Sequence, residues 1–577
     1  MLTGADWWKK AVFYQIYPRS FKDSNGDGIG DLAGIIEKLD YLNDGTPDSL
    51  GIDAIWFSPF FKGPEHDFGY DIADYCDIDP RFGTLADFDR LVAEAHRRGI
   101  RVMLDLVVNH SSSEHPWFKE SRSSRDNPKR DWYIWRDGVG PRRRPPNNWR
   151  NHFFGPSWTW DEATEQYYLH SFLSQQPDLN WFNPAVRRAV DDVVRFWLDR
   201  GADGFRLDVP HVYCKDEQFR SNPPFYRRAK VEQKMPFGDR PLTITLFYLF
   251  GLPEFQVKLF NQHHPETHLV LQEFRRTLDE YPEKTSIGEV VSENSQITAS
   301  YYGSGSDELH MNFFFELAHC RWKAGAFRRC VERWERLLPE EAWPAYTFSN
   351  HDIVRAISRF GGGRDADARA RLLALMLLTL RGTPFIYYGE EIGMKEVRLP
   401  RRLLLDPVGK KWHPFHRGRD GCRTPMQWSG EPGGGFSAGE PWLPLGPESE
   451  RRNVAVQENS AHSLLQFYRK AIWLRKERPA LITGSYRSVV EGVPGDCYLY
   501  LRESEGQKLL VALNFSARRR ELELPQKYLP SRMLLSTDSP RPAKANARSL
   551  SLGRYEGCIL EVGVRSSQEG ALLARSS

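Results

Sequence analysis

Three acidic residues sit where an active site could use them. Asp208 lies near the end of an apolar run, Glu289 lies inside another, and Asp352 follows a third, paired with His351 directly before it. Arg206 stands two residues before Asp208 on a strand-like run, so both side chains point to one face, close enough for the guanidinium to hold the carboxylate ionised and oriented. An ionised Asp beside a second carboxyl of raised pKa is the equipment of a retaining glycosidase: one group attacks and the other donates a proton, at about 5 to 5.5 Å from each other. For any single Asp the alternative is a helix cap or a salt bridge. A second candidate is the loop Asp23-Ser-Asn25-Gly-Asp27-Gly-Ile29-Gly-Asp31, with oxygen donors at alternate positions and Gly at position 6. Position 12 is Gly34 rather than Glu, so this is not an EF-hand, yet such donors can converge on one cation.

These residues need a scaffold that gathers strand ends. Eight strand-like runs occur, at 12–18, 52–59, 101–108, 204–209, 285–291, 309–314, 345–350 and 385–388, with helical stretches between them. That alternation predicts an α/β fold, a (β/α)8 TIM barrel, whose active site lies at the C-terminal ends of the strands. Asn109 and His110 follow the third run, which places them on the same rim. The third run is followed by about 70 residues rich in Trp and Pro, too long for a plain connection and therefore read as an inserted subdomain. Past residue 481 the pattern becomes β-rich, as in 497–501 and 508–514. The expected organisation is a barrel at 1–110 and 181–481, an insertion at 111–180 and a C-terminal antiparallel β-sandwich at 482–577.

Composition narrows the partners. The 577 residues carry 79 Lys and Arg against 76 Asp and Glu, a net +3, which argues against nucleic acid or an anionic membrane surface as partner. The four arginines at 142–144 and 150 read as a solvated loop. The longest apolar run, 372–380, is about half of what a bilayer requires and reads as a core helix. Seven cysteines without a C-x-x-C pair, and a charged, Trp-rich start without the layout of a secretory signal, point to a reducing cytoplasm. Aromatic residues make up 13% of the chain.

Four segments then resemble, in order and spacing, the four sequence regions of the α-amylase family of glycoside hydrolases (family 13): Asp105-Leu-Val-Val-Asn-His110, Gly204-Phe-Arg-Leu-Asp-Val209, Ile287-Gly-Glu-Val290 and Phe348-Ser-Asn-His-Asp352. The resemblance implies Asp208 as nucleophile, Glu289 as general acid/base and Asp352 as the carboxylate that stabilises the transition state, with His110, Arg206 and His351 around it. For Asp105 and Asn109 it leaves a structural role and sugar contact both open. Gln176-Pro-Asp-Leu-Asn180 resembles the α-glucosidase and oligo-1,6-glucosidase branch. There Asp67 and Tyr70 match residues that bind and stack on a terminal glucose, Arg423 the arginine paired with the first of them, and Phe172 an aromatic of the pocket, with a core Phe as the alternative. Val209, after the nucleophile, matches α-1,6-acting members, whereas Pro210 and 211–215 look more like general bacterial α-glucosidases.

The resemblance thus implies an exo-acting retaining α-glucosidase on short oligosaccharides. Alternatives are an oligo-1,6-glucosidase, a transglycosidase converting sucrose or trehalose, and a catalytically silent carbohydrate-binding scaffold. In this branch the Asp23, Asn25, Asp27, Ile29 and Asp31 loop is a structural calcium site, which magnesium could also fill. Oligomeric state is not legible.

Overall fold

A computed structural model describes residues 1–223, 256, 258–292, 294–361, 363–538 and 548–562. Eight strands build one parallel sheet: β1 (Phe13–Ile16), β2 (Ala54–Phe57), β3 (Arg101–Leu106), β4 (Gly204–Leu207), β5 (Thr285–Gly288), β6 (Met311–Asn312), β7 (Ala345–Thr347) and β8 (Thr383–Tyr387). Every residue in all eight is buried. That is why apolar side chains occupy both faces of these strands instead of alternating strictly with polar ones, since a parallel sheet covered by helices is shielded on both faces. The ladders run in parallel register from β6 through β5, β4, β3, β2, β1 and β8 to β7. A parallel bridge between Phe313 and Ala345 closes the last seam, making the sheet a barrel. Each expected run holds one strand, although β6 is only two residues long because the ladder there narrows to Ile287–Met311 and Gly288–Asn312.

The outer helices obey local rules. Helix Leu85–Arg97 opens on a capping box between Thr84 and Asp87 and buries Phe88, Leu91, Val92 and Ala95, one helical face. Helix Pro184–Asp199 starts with Pro at its first turn and Asn183 as cap, and lays six apolar residues on the barrel. The apolar run at 372–380 lies mostly in helix Ala366–Thr379, which buries ten residues because the barrel covers one side and the C-terminal strands the other. A Cβ on Gly557 would meet Leu372 and Leu375 at 2.8 Å, and Arg502 donates to the Thr379 carbonyl at 2.6 Å.

Between β3 and β4 the chain makes helix Pro116–Ser123, a helix the low periodicity there did not announce, and a three-stranded antiparallel sheet of Trp135–Arg136, Gln166–Leu169 and Trp158–Asp161. Its small core is Ile134, Trp149, Trp158 and Leu169. The excursion returns where it left: His110 bridges Asp178, and the Leu179 amide donates to the Asn109 carbonyl at 3.0 Å. At the C-terminal end five antiparallel strands, Ser485–Val489, Cys497–Ser504, Gln507–Asn514, Gly557–Val562 and Pro530–Ser536, form one sheet, and Arg520–Glu523 pairs with Ser549–Leu552 in another. They share a separate apolar cluster that includes Leu499, Leu510 and Leu560.

Candidate active site

The strand ends converge as a barrel dictates. Asp105 lies on β3, Asp208 one residue past β4, Glu289 one past β5, and His351 and Asp352 in the turn after β7. Asp67 and Tyr70 come from the loop after β2, and Arg419 and Arg423 from the loop after β8.

The centre is the Arg206 guanidinium. It donates to Asp105 at 2.6 Å and to Asp208 at 2.7 Å through one nitrogen, and through the other it pairs with Glu289. Arg206 is 1% exposed and also lies over the ring of Trp56. The two-residue spacing that set Arg206 beside Asp208 therefore brings in two further carboxyls. Burial pushes Glu289 up to about 8, against the attraction of Arg206 and with the repulsion of Asp208, Asp352 and Asp105 adding to it. Burial likewise pushes Asp105 up to about 7. Asp105 also accepts from the Tyr70 hydroxyl at 3.1 Å, and Asn109 donates to Asp178 while accepting from Lys215, so Asn109 ties the third strand to its loop.

Asp352 is the open member, with a third of its side chain exposed. Burial works against its charged form, but the guanidinia of Arg419 and Arg423 outweigh that and hold the carboxyl well below the usual range. Arg423 donates to Asp352 at 2.6 Å and to the His351 carbonyl at 2.8 Å. Asp67 is therefore not paired with Arg423. Its partner is Arg419, at 2.6 Å, because the Arg423 fork is committed to the β7 turn while Arg419, four residues earlier, reaches across. Arg419 also binds Asp406 at 2.6 Å and approaches Asp352 at 3.4 Å. Gln176 donates to Asp67 at 3.3 Å and to the Tyr70 carbonyl at 3.0 Å, which fixes that loop from below. The sequence patterns missed Arg419 and Asp406, although Arg419 opens the motif that contains Arg423.

His351 is a neutral link. Burial pushes it down to about 3, Gln15 on β1 donates to its Nδ1 at 2.8 Å, and its Nε2–H then donates to the Tyr70 hydroxyl at 2.5 Å. The Tyr70 and His351 rings lie parallel, 5° apart in plane. His110 donates to the Tyr70 carbonyl at 2.9 Å, and the half-buried Phe172 packs beside His110 and stacks on His152. Val209 adopts φ 37° and ψ 49°, a left-handed conformation that costs a β-branched residue energy and that the sequence did not reveal.

The loop 23–31 is closed by hydrogen bonds of its own and one from Ser437. Asp23 accepts from the amides of Asn25, Gly26 and Gly28 and from Ser437, and Asp31 accepts from Ser24 and from Gly34 at a helix start. Asn25 and Asp27 each accept one amide and keep lone pairs to spare. Among the described residues no three His, Cys, Asp or Glu side chains converge as a metal cluster. The all-oxygen donor set is nevertheless of the kind a hard cation takes.

Residues 15–484 match the alpha-amylase catalytic-domain family. The chain belongs to the α-amylase family. A probable α-glucosidase of Rhizobium meliloti is 46% identical over 91% of this chain and 92% of its own length. An oligo-1,6-glucosidase of Parageobacillus thermoglucosidasius is 39% identical over 92% of this chain and 94% of its own length. Among solved structures, an α-glucosyl transfer enzyme superposes with a TM-score of 0.86 at 44% identity, covering 96% of this chain and 99% of that one. The trehalulose synthase of Pseudomonas mesoacidophila MX-45 does so with 0.85 at 38% identity, covering 97% and 100%.

Exchanging Arg206 for Lys keeps the charge but not the fork that spans three carboxyls. Arg206→Lys is expected to lower kcat/KM on an aryl α-glucoside by roughly 100-fold or more while circular dichroism stays native.

Proposed function

We propose that this α-amylase family member is an exo-acting, retaining α-glucosidase that releases terminal glucose from short oligosaccharides. The observation that carries the reading is the single buried guanidinium gathering Asp105, Asp208 and Glu289, with Glu289 still protonated near neutral pH. An Asp208 oxygen bonds to the anomeric carbon as the glycosidic C–O bond breaks, and the Glu289 proton passes to the departing oxygen. In the second half Glu289, now a carboxylate, takes a proton from water as the water oxygen bonds to that carbon and Asp208 leaves, so the configuration is retained. Asp352, held ionised by two guanidinia, faces the positive charge that develops on the ring.

Exo action is supported by the Asp67–Arg419–Asp352 chain, which stands across one end of the site with Gln176 beneath it. Its carboxylates and guanidinium can bind the hydroxyls of a chain end, while Tyr70 and Phe172 offer ring faces. Transfer to a sugar acceptor in place of water is a second reading, supported by the 44% identity to an α-glucosyl transfer enzyme. Val209 matches α-1,6-acting members, whereas residues 210–215 look more like general bacterial α-glucosidases, so oligo-1,6-glucosidase action stands beside the general α-glucosidase reading.

The division at 110/111, 180/181 and 481/482 is proposed on the changes of architecture at β3, helix Pro184–Asp199 and Ser485–Val489. A cytoplasmic setting is supported by the thiols of Cys76, Cys214, Cys330, Cys422 and Cys497. Among the described residues no helix is long and apolar enough to cross a membrane. A structural calcium or magnesium ion at Asp23, Asn25, Asp27, the Ile29 carbonyl and Asp31 would pin the loop after β1 without entering the chemistry.

Asp208→Asn is expected to leave less than a few percent of the aryl α-glucosidase rate; a larger residue of activity overturns the assignment of the nucleophile. Because Glu289 must hold its proton for the first step, kcat/KM is expected to fall as pH rises through about 8. A profile flat to pH 10 contradicts Glu289 as the acid. Chelation is expected to remove bound metal and lower the melting temperature with little change in kcat below the transition; if neither metal content nor melting temperature moves, the ion is absent.

A further inference from the structure

The loop after β8 carries a feature the reaction does not use. Residues 395–418 hold seven Lys and Arg against two acidic residues, a larger positive excess than the +3 of the whole chain. Several of these cations are neutralised or face open solvent; Lys395, for example, binds Glu448 at 2.8 Å. Arg398 and Arg417 differ. Both are exposed, neither makes an ion pair or a side-chain hydrogen bond among the described residues, and both line one cleft of about 410 Å3 between the loops after β7 and β8. The apolar part of that cleft comes from Val354, Ile357 and Leu404. Its walls are tied together at Glu396, whose carboxyl accepts the Arg355 amide at 3.2 Å and whose own amide donates to Ser358 at 2.8 Å. Burial pushes Glu396 up to about 7, so the one acidic side chain of the lining carries less than a full charge at neutral pH.

Two free guanidinia over a partly apolar cleft of this size match a particular chemistry. A fork of N–H donors suits the oxygens of a phosphate, and an apolar wall suits the C–H face of a sugar ring. The volume lies in the range of small-molecule sites and is too small for a polymer. We propose that this cleft binds a sugar phosphomonoester, with Arg398 and Arg417 on the phosphate and Val354, Ile357 and Leu404 against the ring. It is separate from the pocket: Asp352 and Arg419 stand next to its two walls in sequence, and neither lines it. The proposal does not rest on the hydrolytic reading.

The experiment is calorimetry on the full chain with a hexose 6-phosphate, the unphosphorylated hexose and inorganic phosphate. Expected is a saturable heat with the hexose phosphate that weakens at least tenfold in the R398A/R417A double variant, with an intermediate loss in Arg417→Gln. Binding of the unphosphorylated hexose, and the aryl α-glucosidase rate of each variant, should match the parent and show that the pocket and fold are intact. Equal affinity in parent and double variant overturns the proposal. Inorganic phosphate binding as tightly as the ester overturns the assignment to a sugar ester.

Discussion

One buried cation holds this site together. Asp105, Asp208 and Glu289 come from three adjacent strands, and without Arg206 their charges would meet in a water-poor barrel mouth where each uncompensated ion costs several kcal/mol. The arginine can serve all three only because it rises from the middle strand of the trio, β4, with β3 and β5 on either side in fixed parallel register. The barrel thus supplies more than a rim for loops. Its strand order decides which carboxyls can share a counter-ion, and burial, with the mutual repulsion of three acids around one base added to it, leaves Glu289 and Asp105 reluctant to ionise.

A second charge system faces the first. Arg419 and Arg423 reach in from the loop after β8 and hold Asp67 and Asp352, with Asp406 supporting Arg419 from behind. The two systems pull in opposite directions: burial of three acids around one guanidinium favours a held proton on Glu289, and two guanidinia around Asp352 favour a fixed negative charge. Tyr70 and the neutral His351 stand between them and pass hydrogen bonds from one to the other without adding charge. Part of the 13% aromatic content has this use; Trp149 and Trp158 pack the insertion, and many of the others lie in the core of the barrel.

Much of this was legible from residue order because barrel geometry is periodic. Asp208 and Glu289 lie in strand-like runs and Asp352 just after one, and eight such runs alternating with helical stretches point to parallel strands whose ends meet on one rim. The Arg206–Asp208 contact followed from the two-residue repeat of a strand. Contacts between loops were not legible in that way. Choosing between Arg419 and Arg423 as partner of Asp67 depends on a short helical turn at Asp420–Cys422, which rotates the second arginine toward the His351 carbonyl. The left-handed Val209, the helix at Pro116–Ser123 and the brevity of β6 have the same origin: tertiary constraint overrides local preference, and no periodicity records it.

Gln15 gives the barrel interior an unexpected meaning. It lies on β1, is buried, and its amide decides which nitrogen of His351 carries the proton, which in turn orients the Tyr70 hydroxyl toward Asp105. The inner layer of the barrel is therefore part of the proton arrangement of the site as well as its packing. A core exchange of similar volume at Gln15, to Met or Leu, would remove the donor that fixes the His351 tautomer, and with it the direction of a hydrogen-bond chain that crosses the barrel. At Gln15, therefore, volume alone does not define an equivalent residue: the position must also supply an N–H toward His351.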